Sequence, residues 1–184
     1  DLFADDFLLP TGNLRESRSG AQRADVIVVT KCPTTLSEAE QTQIKQKLRR
    51  LSKPNRVVYF TFVSYSSAVI SEKASLPVVQ IQQSNCLLLA GIAKPSSFFN
   101  YLKNSESICL AYPDHHNFSD SDIHQIKQQA GDKIIVTTEK DYVRLKDSVL
   151  QDQLYYLPIQ TSFITASDQF DATILSFIEQ EFQK

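Results

Sequence analysis

The sequence predicts an α/β fold, with a mostly parallel sheet flanked by helices. Two patterns carry that expectation: short apolar, β-branched-rich runs recur along the chain, and most are followed by a segment that opens with helix-capping chemistry. Hairpin dipeptides are absent and only 4 glycines occur, so helical crossovers rather than tight turns are expected to join the strands.

The first run, "DVIVVT" at 25–30, is a buried-strand pattern. "SEAE" follows, with Ser37 placed as N-cap and Glu40 at the third helical position. Ile44, Leu48 and Leu51 then share one helical face, and the basic residues near the end suit the helix dipole. "VVYFTF" at 57–62 is the next strand. From Phe62 to Gln83 the pattern changes to strand, turn and second strand without an amphipathic helix, which predicts a linker between two α/β pieces.

Strands are expected again at "CLLLAG" (86–91), "ICLAYP" (108–113), "KIIVTT" (133–138) and "LYYLPI" (154–159). "SDSD" places Ser119 as a cap with Asp122 as its partner, and Phe118 before the cap can staple onto Ile123. "TEKD" repeats the device with Thr138 and Asp141. A last helix over about 168–183 presents Phe170, Ile174, Phe177, Ile178 and Phe182 as a core stripe.

With 184 residues and 42% hydrophobic content, the chain can bury one sizeable core or two small ones. The net charge is -2, yet residues 13–56 hold ten Lys/Arg against four Asp/Glu, an excess that suits phosphates or a solvated helix flank. Cys32, Cys86 and Cys109 never form a CxxC pair, which argues against a disulfide framework or a cysteine zinc site. No apolar run approaches the ~20 residues that span a bilayer. The chain opens "DLFADDFLLP" and contains no Met, so a piece of a longer protein is expected.

In open α/β sheets, ligands gather outside the carboxyl ends of the strands. "AYPDHHNF" places Asp114, His115 and His116 at such an end. Imidazole titrates near neutral pH and a neighbouring carboxylate can orient it, so a general base or a metal position is one reading and a self-capping loop is the other. "TGNLRESRSG" at 11–20 offers Arg15, Glu16 and Arg18, a set that can fork onto phosphate and hold Mg²⁺, or simply form a charged turn. "TTEKD" is explained by its cap alone. A GxxxxGK[ST] phosphate loop is absent from the sequence.

Together "LLPTGNLRES", "RADVIVVTK", "AGIAKPSSFF", "YPDHHNFSDSDI" and "IVTTEKDYVRL" resemble the C-terminal portion of the tetraacyldisaccharide 4'-kinase family, without its Walker A region. The resemblance implies a P-loop-kinase-related, Rossmann-like fold. Residues 1–61 would be the end of the kinase core, 62–84 a β linker and 85–184 a C-terminal α/β domain. It implies transfer of the ATP γ-phosphate to the 4'-hydroxyl of a tetraacyldisaccharide 1-phosphate, with Mg²⁺, at the cytoplasmic face of a bacterial inner membrane. Membrane contact would be peripheral, and nucleic acid is not an expected partner.

By the same resemblance, His115 matches a histidine that pairs with a catalytic aspartate elsewhere in the family, and Asp114 supports it. Arg15 would act on the transferring phosphate and Glu16 at the Mg²⁺ site, with Asn13 and His116 as further phosphate or substrate contacts. Thr30-Lys31 resembles a nucleotide-base element, [NT]KxD, in which Lys31 contacts the nucleotide, but Pro33 stands where guanine readers carry an acid. The chain by itself is expected to be inactive. Two other functions remain open: a DHH-type Mn²⁺ phosphoesterase, which shares the Asp-His-His triplet, and a non-catalytic α/β binding module.

Overall fold

The computed structural model describes residues 2–53, 56–165 and 167–182, with the side chains of 167 and 180–182 left aside. Contacts divide the chain into two units. One comprises residues up to Ser64 together with those from Thr161 onward, and the other runs from Tyr65 to Gln160. The expected linker at 62–84 therefore holds the end of one strand and the opening elements of the second unit.

In the first unit, strand β1 (Val26–Val29) pairs in parallel with β2 (Val57–Tyr65), and β9 (Ile159–Phe163) lies on the other side of β2. Helix α1 (Glu38–Arg49) joins β1 to β2. It starts where the capping box predicts, because Ser37 and Glu40 satisfy each other's backbone N–H groups. Leu48 is fully buried beside Ile27 and Ala4, with Ile44 and Leu51 packed against them.

Helix α6 (Ser167–Phe182) also belongs to this unit. Phe170 sits edge-on to Tyr59, with ring centroids 5.1 Å apart. The rest of the expected core stripe departs from expectation: Ile174, Phe177 and Ile178 are exposed, and Phe182 lies outside the described side chains. An amphipathic period reports which residues share a face, whereas burial also needs a layer against that face.

The second unit has a six-stranded sheet among the described residues, in the order β4-β3-β8-β7-β5-β6. Its members are β3 (Ala68–Ile70), β4 (Ser75–Pro77), β5 (Leu87–Ala90), β6 (Ile108–Ala111), β7 (Ile135–Thr138) and β8 (Leu154–Leu157). Strands β5 to β8 run parallel, and β3 pairs antiparallel with both β4 and β8. A short helix, α2 (Val78–Gln82), follows β4, in a segment where the sequence had suggested strands alone.

Helices α3 (Ser96–Leu102), α4 (Asp120–Ala130) and α5 (Glu139–Leu145) make the crossovers. Strand β5 explains how the sheet is held. Alternate side chains point to opposite faces, so Leu88 and Ala90 enter a core with Phe98, Leu102 and Ile81. Leu87 and Leu89 enter a second core with Ile126, Tyr142 and Leu145. All four residues of the strand are fully buried, and each leucine contributes roughly 1.5–3 kcal/mol by leaving water.

Candidate functional site

The strand order sets where a site can form in the second unit. From β5 the chain crosses to β6 on one side, then returns past β5 to β7 on the other. The carboxyl ends of β5 and β7 thus flank the point at which the winding reverses, where open α/β sheets leave a crevice.

Asp141 bridges that point. Its side chain is fully buried at the start of α5, and its Oδ2 accepts hydrogen bonds from the Gly91 N–H after β5 (2.8 Å) and from Thr138 Oγ1 (2.8 Å). The approach is close, for a Cβ at Gly91 would meet Asp141 Oδ1 at 3.2 Å and the Pro113 carbonyl at 3.4 Å. Arg144, one turn along α5, lies 3.6 Å from Asp141 Oδ1 and donates to the His116 carbonyl (3.2 Å). A buried acid thus ties the ends of β5 and β7 together, and its arginine holds the loop after β6.

That loop carries the Asp-His-His triplet. His116 donates its N–H to the Pro113 carbonyl (3.2 Å), which closes a turn with His115 at φ 60. Glycine or asparagine is usual in that left-handed conformation, so the turn holds a histidine at a steric cost. The His115 side chain is 72% exposed, with Nε2 3.8 Å from Asp114 Oδ2. Asp114 Oδ1 accepts from Lys140 Nζ at 3.1 Å. The hydrogen bond from Lys140, followed by the charge of His115, holds the Asp114 carboxyl below the usual carboxylate range.

The neighbouring histidine has a different setting. The His116 ring lies against Tyr112 and Phe118, with centroids 4.8 and 5.0 Å away, and Nε2 sits 3.1 Å from Asp122 Oδ2. Asp122 also completes the α4 capping box with Ser119. Bonds from Ser119 first, and then His116, lower the Asp122 carboxyl. His116, expected as a phosphate or substrate contact, thus has its Nε2 beside a carboxylate that also caps α4.

No group of three or more His, Cys, Asp or Glu side chains that could hold a metal occurs among the described residues. The two adjacent imidazoles point to different partners rather than to one ion, so the specific geometry that a DHH-type Mn²⁺ centre needs is not what these two rings form.

In the first unit, the loop before β1 is ordered by its own backbone. Asp6 Oδ1 accepts from the N–H groups of Phe7 (2.8 Å) and Asn13 (3.1 Å), and these bonds lower its carboxyl. Arg18 donates twice to the Asp6 carbonyl, at 2.9 and 2.6 Å, and its guanidinium lies 5.0 Å from the Phe7 ring centroid. Gly12 is required there, because a Cβ would collide with the Phe7 carbonyl and the Asp6 carboxylate.

This leaves the side chains of Asn13, Arg15 and Glu16 exposed. Arg15 and Glu16 border an open depression of about 470 Å³ beside β1. Glu16 accepts from Arg23 Nη2 at 3.0 Å, so a metal would have to compete with an exposed ion pair and find its other ligands elsewhere. Lys31 follows β1 with φ 57 and an exposed side chain. No described helix is long and apolar enough to cross a membrane.

Sequence reasoning assigned Asp141 to the helix cap alone and did not single out Gly91, Lys140 or Arg144 for the site. "TTEKDYVR" did contain the signal: a cap acid followed three residues later by arginine, at the carboxyl end of an apolar strand.

A family model described as tetraacyldisaccharide-1-P 4'-kinase matches residues 1–179. The tetraacyldisaccharide 4'-kinase of Flavobacterium johnsoniae is 51% identical over 183 residues, covering 100% of this chain and 53% of its own length. That of Flavobacterium psychrophilum is 49% identical over 97% of this chain and 52% of its own. The chain therefore spans about half the length of these curated relatives. A solved structure of LpxK from Aquifex aeolicus in complex with ATP shares the fold, with a TM-score of 0.61 at 18% identity over 93% of this chain and 48% of that one.

Proposed function

Since this chain belongs to the tetraacyldisaccharide-1-P 4'-kinase family, we propose that the protein carrying it transfers the γ-phosphate of ATP to the 4'-hydroxyl of a tetraacyldisaccharide 1-phosphate. The observation that carries the reading is the Asp114–His115 pair, exposed beyond the carboxyl end of β6 in the parallel part of the sheet and held there by Lys140. Phosphoryl transfer asks a protein chiefly for positioning, charge stabilisation and a group to receive the hydroxyl proton.

His115 is the proton-handling group of this half. Its imidazole faces solvent, and a positioned imidazole is the commonest side-chain group to take a proton from a reacting hydroxyl. Asp114 favours the imidazolium that proton uptake would create, and Lys140 keeps the aspartate ionised and turned to the site. Arg15, on its exposed turn, stabilises charge on the transferring phosphoryl group, while Asn13 orients the substrate. Mg²⁺, when bound, would neutralise phosphate charge, and Glu16 is the residue here that can supply one carboxylate oxygen to it. Lys31 lies at the carboxyl end of β1, where it can meet the nucleotide. By itself the chain carries no phosphoryl transfer, because its sequence has no GxxxxGK[ST] loop to cradle the phosphates.

The same reading puts the working enzyme at the cytoplasmic face of the bacterial inner membrane, in peripheral contact, where it would meet an acylated substrate. The experiment is 4'-kinase activity of the full-length protein with Mg-ATP, wild type against His115→Ala. A loss of roughly 100-fold or more in kcat, with folding intact, supports the reading. An unchanged rate would remove His115 from the chemistry, and a folded wild type that phosphorylates nothing would end the kinase assignment.

A further inference from the structure

His115 is held in a conformation that its side chain disfavours. Its φ of 60 puts a residue with a Cβ in the left-handed region, and such a residue persists only where its surroundings fix the backbone around it. It sits midway in the loop that leaves β6 at Ala111 and reaches α4 at Asp120, so neither a strand nor a helix supplies that restraint.

Both flanks of His115 are instead gripped by α5. Lys140 donates to the Asp114 carboxylate at 3.1 Å, and Arg144 Nη1 donates to the His116 carbonyl at 3.2 Å. The two cations stand four residues apart, so they share one face of the helix and reach the loop from consecutive turns. Between them, Asp141 binds the Gly91 N–H at 2.8 Å and fixes the helix against the end of β5.

A simpler account of Arg144 is that it only neutralises Asp141. Yet Nη1 lies 3.6 Å from Asp141 Oδ1, beyond hydrogen-bonding distance, and that oxygen has no hydrogen-bond partner among the described residues. The same nitrogen is nearer to the loop carbonyl and donates there. The acid holds the guanidinium by charge, and the guanidinium holds the loop by a charge-assisted bond.

We propose that Arg144 is a positioning residue: through the His116 carbonyl it keeps His115 in its left-handed conformation and so aims the imidazole at the substrate hydroxyl. The proposal rests on the kinase reading above, which makes His115 the proton-handling group. Lys140 steadies the other flank through a side chain, whereas the Arg144 bond ends on the backbone next to His115. Without it the turn can relax toward negative φ and carry the ring away from its target.

The test uses the full-length protein with Mg-ATP and tetraacyldisaccharide 1-phosphate, and reads kcat and KM separately. Arg144→Ala should lower kcat about tenfold or more while KM for either substrate stays within about twofold, since a misaimed base weakens the transition state and not the binding. Arg144→Lys should recover most of that loss, because one donor to one carbonyl does not need the guanidinium fork. Built into His115→Ala, Arg144→Ala should lower kcat by less than about twofold more, as the ring it positions is gone. Arg144→Met, which keeps an unbranched stem but no donor, serves the same comparison if the alanine variant fails to fold.

A wild-type kcat in the folded variant, a loss carried by KM, or the same loss recurring in full on the His115→Ala background would overturn the proposal. Arg144 would then be the counter-ion of Asp141, with the kinase reading intact. Folded wild type that phosphorylates nothing, or His115→Ala that keeps the wild-type rate, would remove the role of His115 and the proposal with it.

Discussion

Lys140 donates to Asp114 at 3.1 Å across the end of β5, joining residues that follow β7 and β6, two strands that are not neighbours in the sheet. The bond passes over the same strand end that Asp141 grips through Gly91. One short helix start thus fixes both the buried and the exposed side of the cluster.

Lys140→Ala should move the Asp114 carboxyl up toward its ordinary 3.8, because the Lys140 hydrogen bond is the leading cause of its lowering. The folded value lies below the unfolded one, so the pairing stabilises the protein fully above the unfolded value and is lost as pH falls through the folded one. The variant should lose that acid-side dependence. An NMR titration of the Asp114 carboxyl carbon checks this, and an unmoved midpoint would count against the bond.

His115→Gly and His115→Ala should separate conformation from chemistry. Both remove the imidazole, and on its proposed role both variants of the full-length protein should lower kcat alike, by roughly 100-fold or more. Alanine keeps the cost of a left-handed residue at φ 60, whereas glycine relieves about 1 kcal/mol of it. Urea melts should therefore place the glycine variant at or above the alanine variant, although glycine's greater unfolded-state freedom offsets part of the gain.

Asp141→Ala should cost about 3 kcal/mol, since it strands the Gly91 N–H and Thr138 hydroxyl in a buried setting and removes Arg144's partner. Gly91→Ala should also destabilise, because the Cβ presses on a carboxylate that is already hydrogen-bonded. Denaturant unfolding reads both. A neutral Asp141→Ala would mean that the bridge across the strand ends contributes nothing.

Ser119→Ala should cost about 1 kcal/mol through the lost α4 cap. It should also raise the Asp122 carboxyl, because Ser119 supplies the leading bonds that lower it. Thermal melts near neutral pH and at acidic pH give the check: the difference between variant and wild type should shrink as Asp122 protonates in both.

On its proposed role, Arg15→Ala in the full-length protein should reduce kcat by roughly 100-fold while leaving stability unchanged, as its side chain is exposed. Arg23→Ala serves as the contrast. It breaks the exposed pair with Glu16 and should alter stability by less than about 1 kcal/mol.

Much of the fold was legible because its signals are local. Ser37, Ser119 and Thr138 cap the helices that their acids three residues on predicted, and the apolar runs became strands within a residue or two, with β2 extended to Tyr65. The triplet's position at a strand end was legible too. What escaped depends on distant pairs: Gly91 meets Asp141 fifty residues away, and Asp141's cap role concealed its second bond. The five-residue α2 is too short to show a helical period, and the return of the chain from Thr161 to the first unit leaves no mark in local sequence.

Strand β5 has a consequence for how the second unit comes apart. Leu87 and Leu89 belong to one core while Leu88 and Ala90 belong to the other, so neither helical layer can melt without exposing a strand the opposite layer needs. Opening should therefore be all-or-none: in native-state hydrogen exchange, the amides of β5 should share one slowest rate with those of β7, reporting a single cooperative foldon rather than two separable halves.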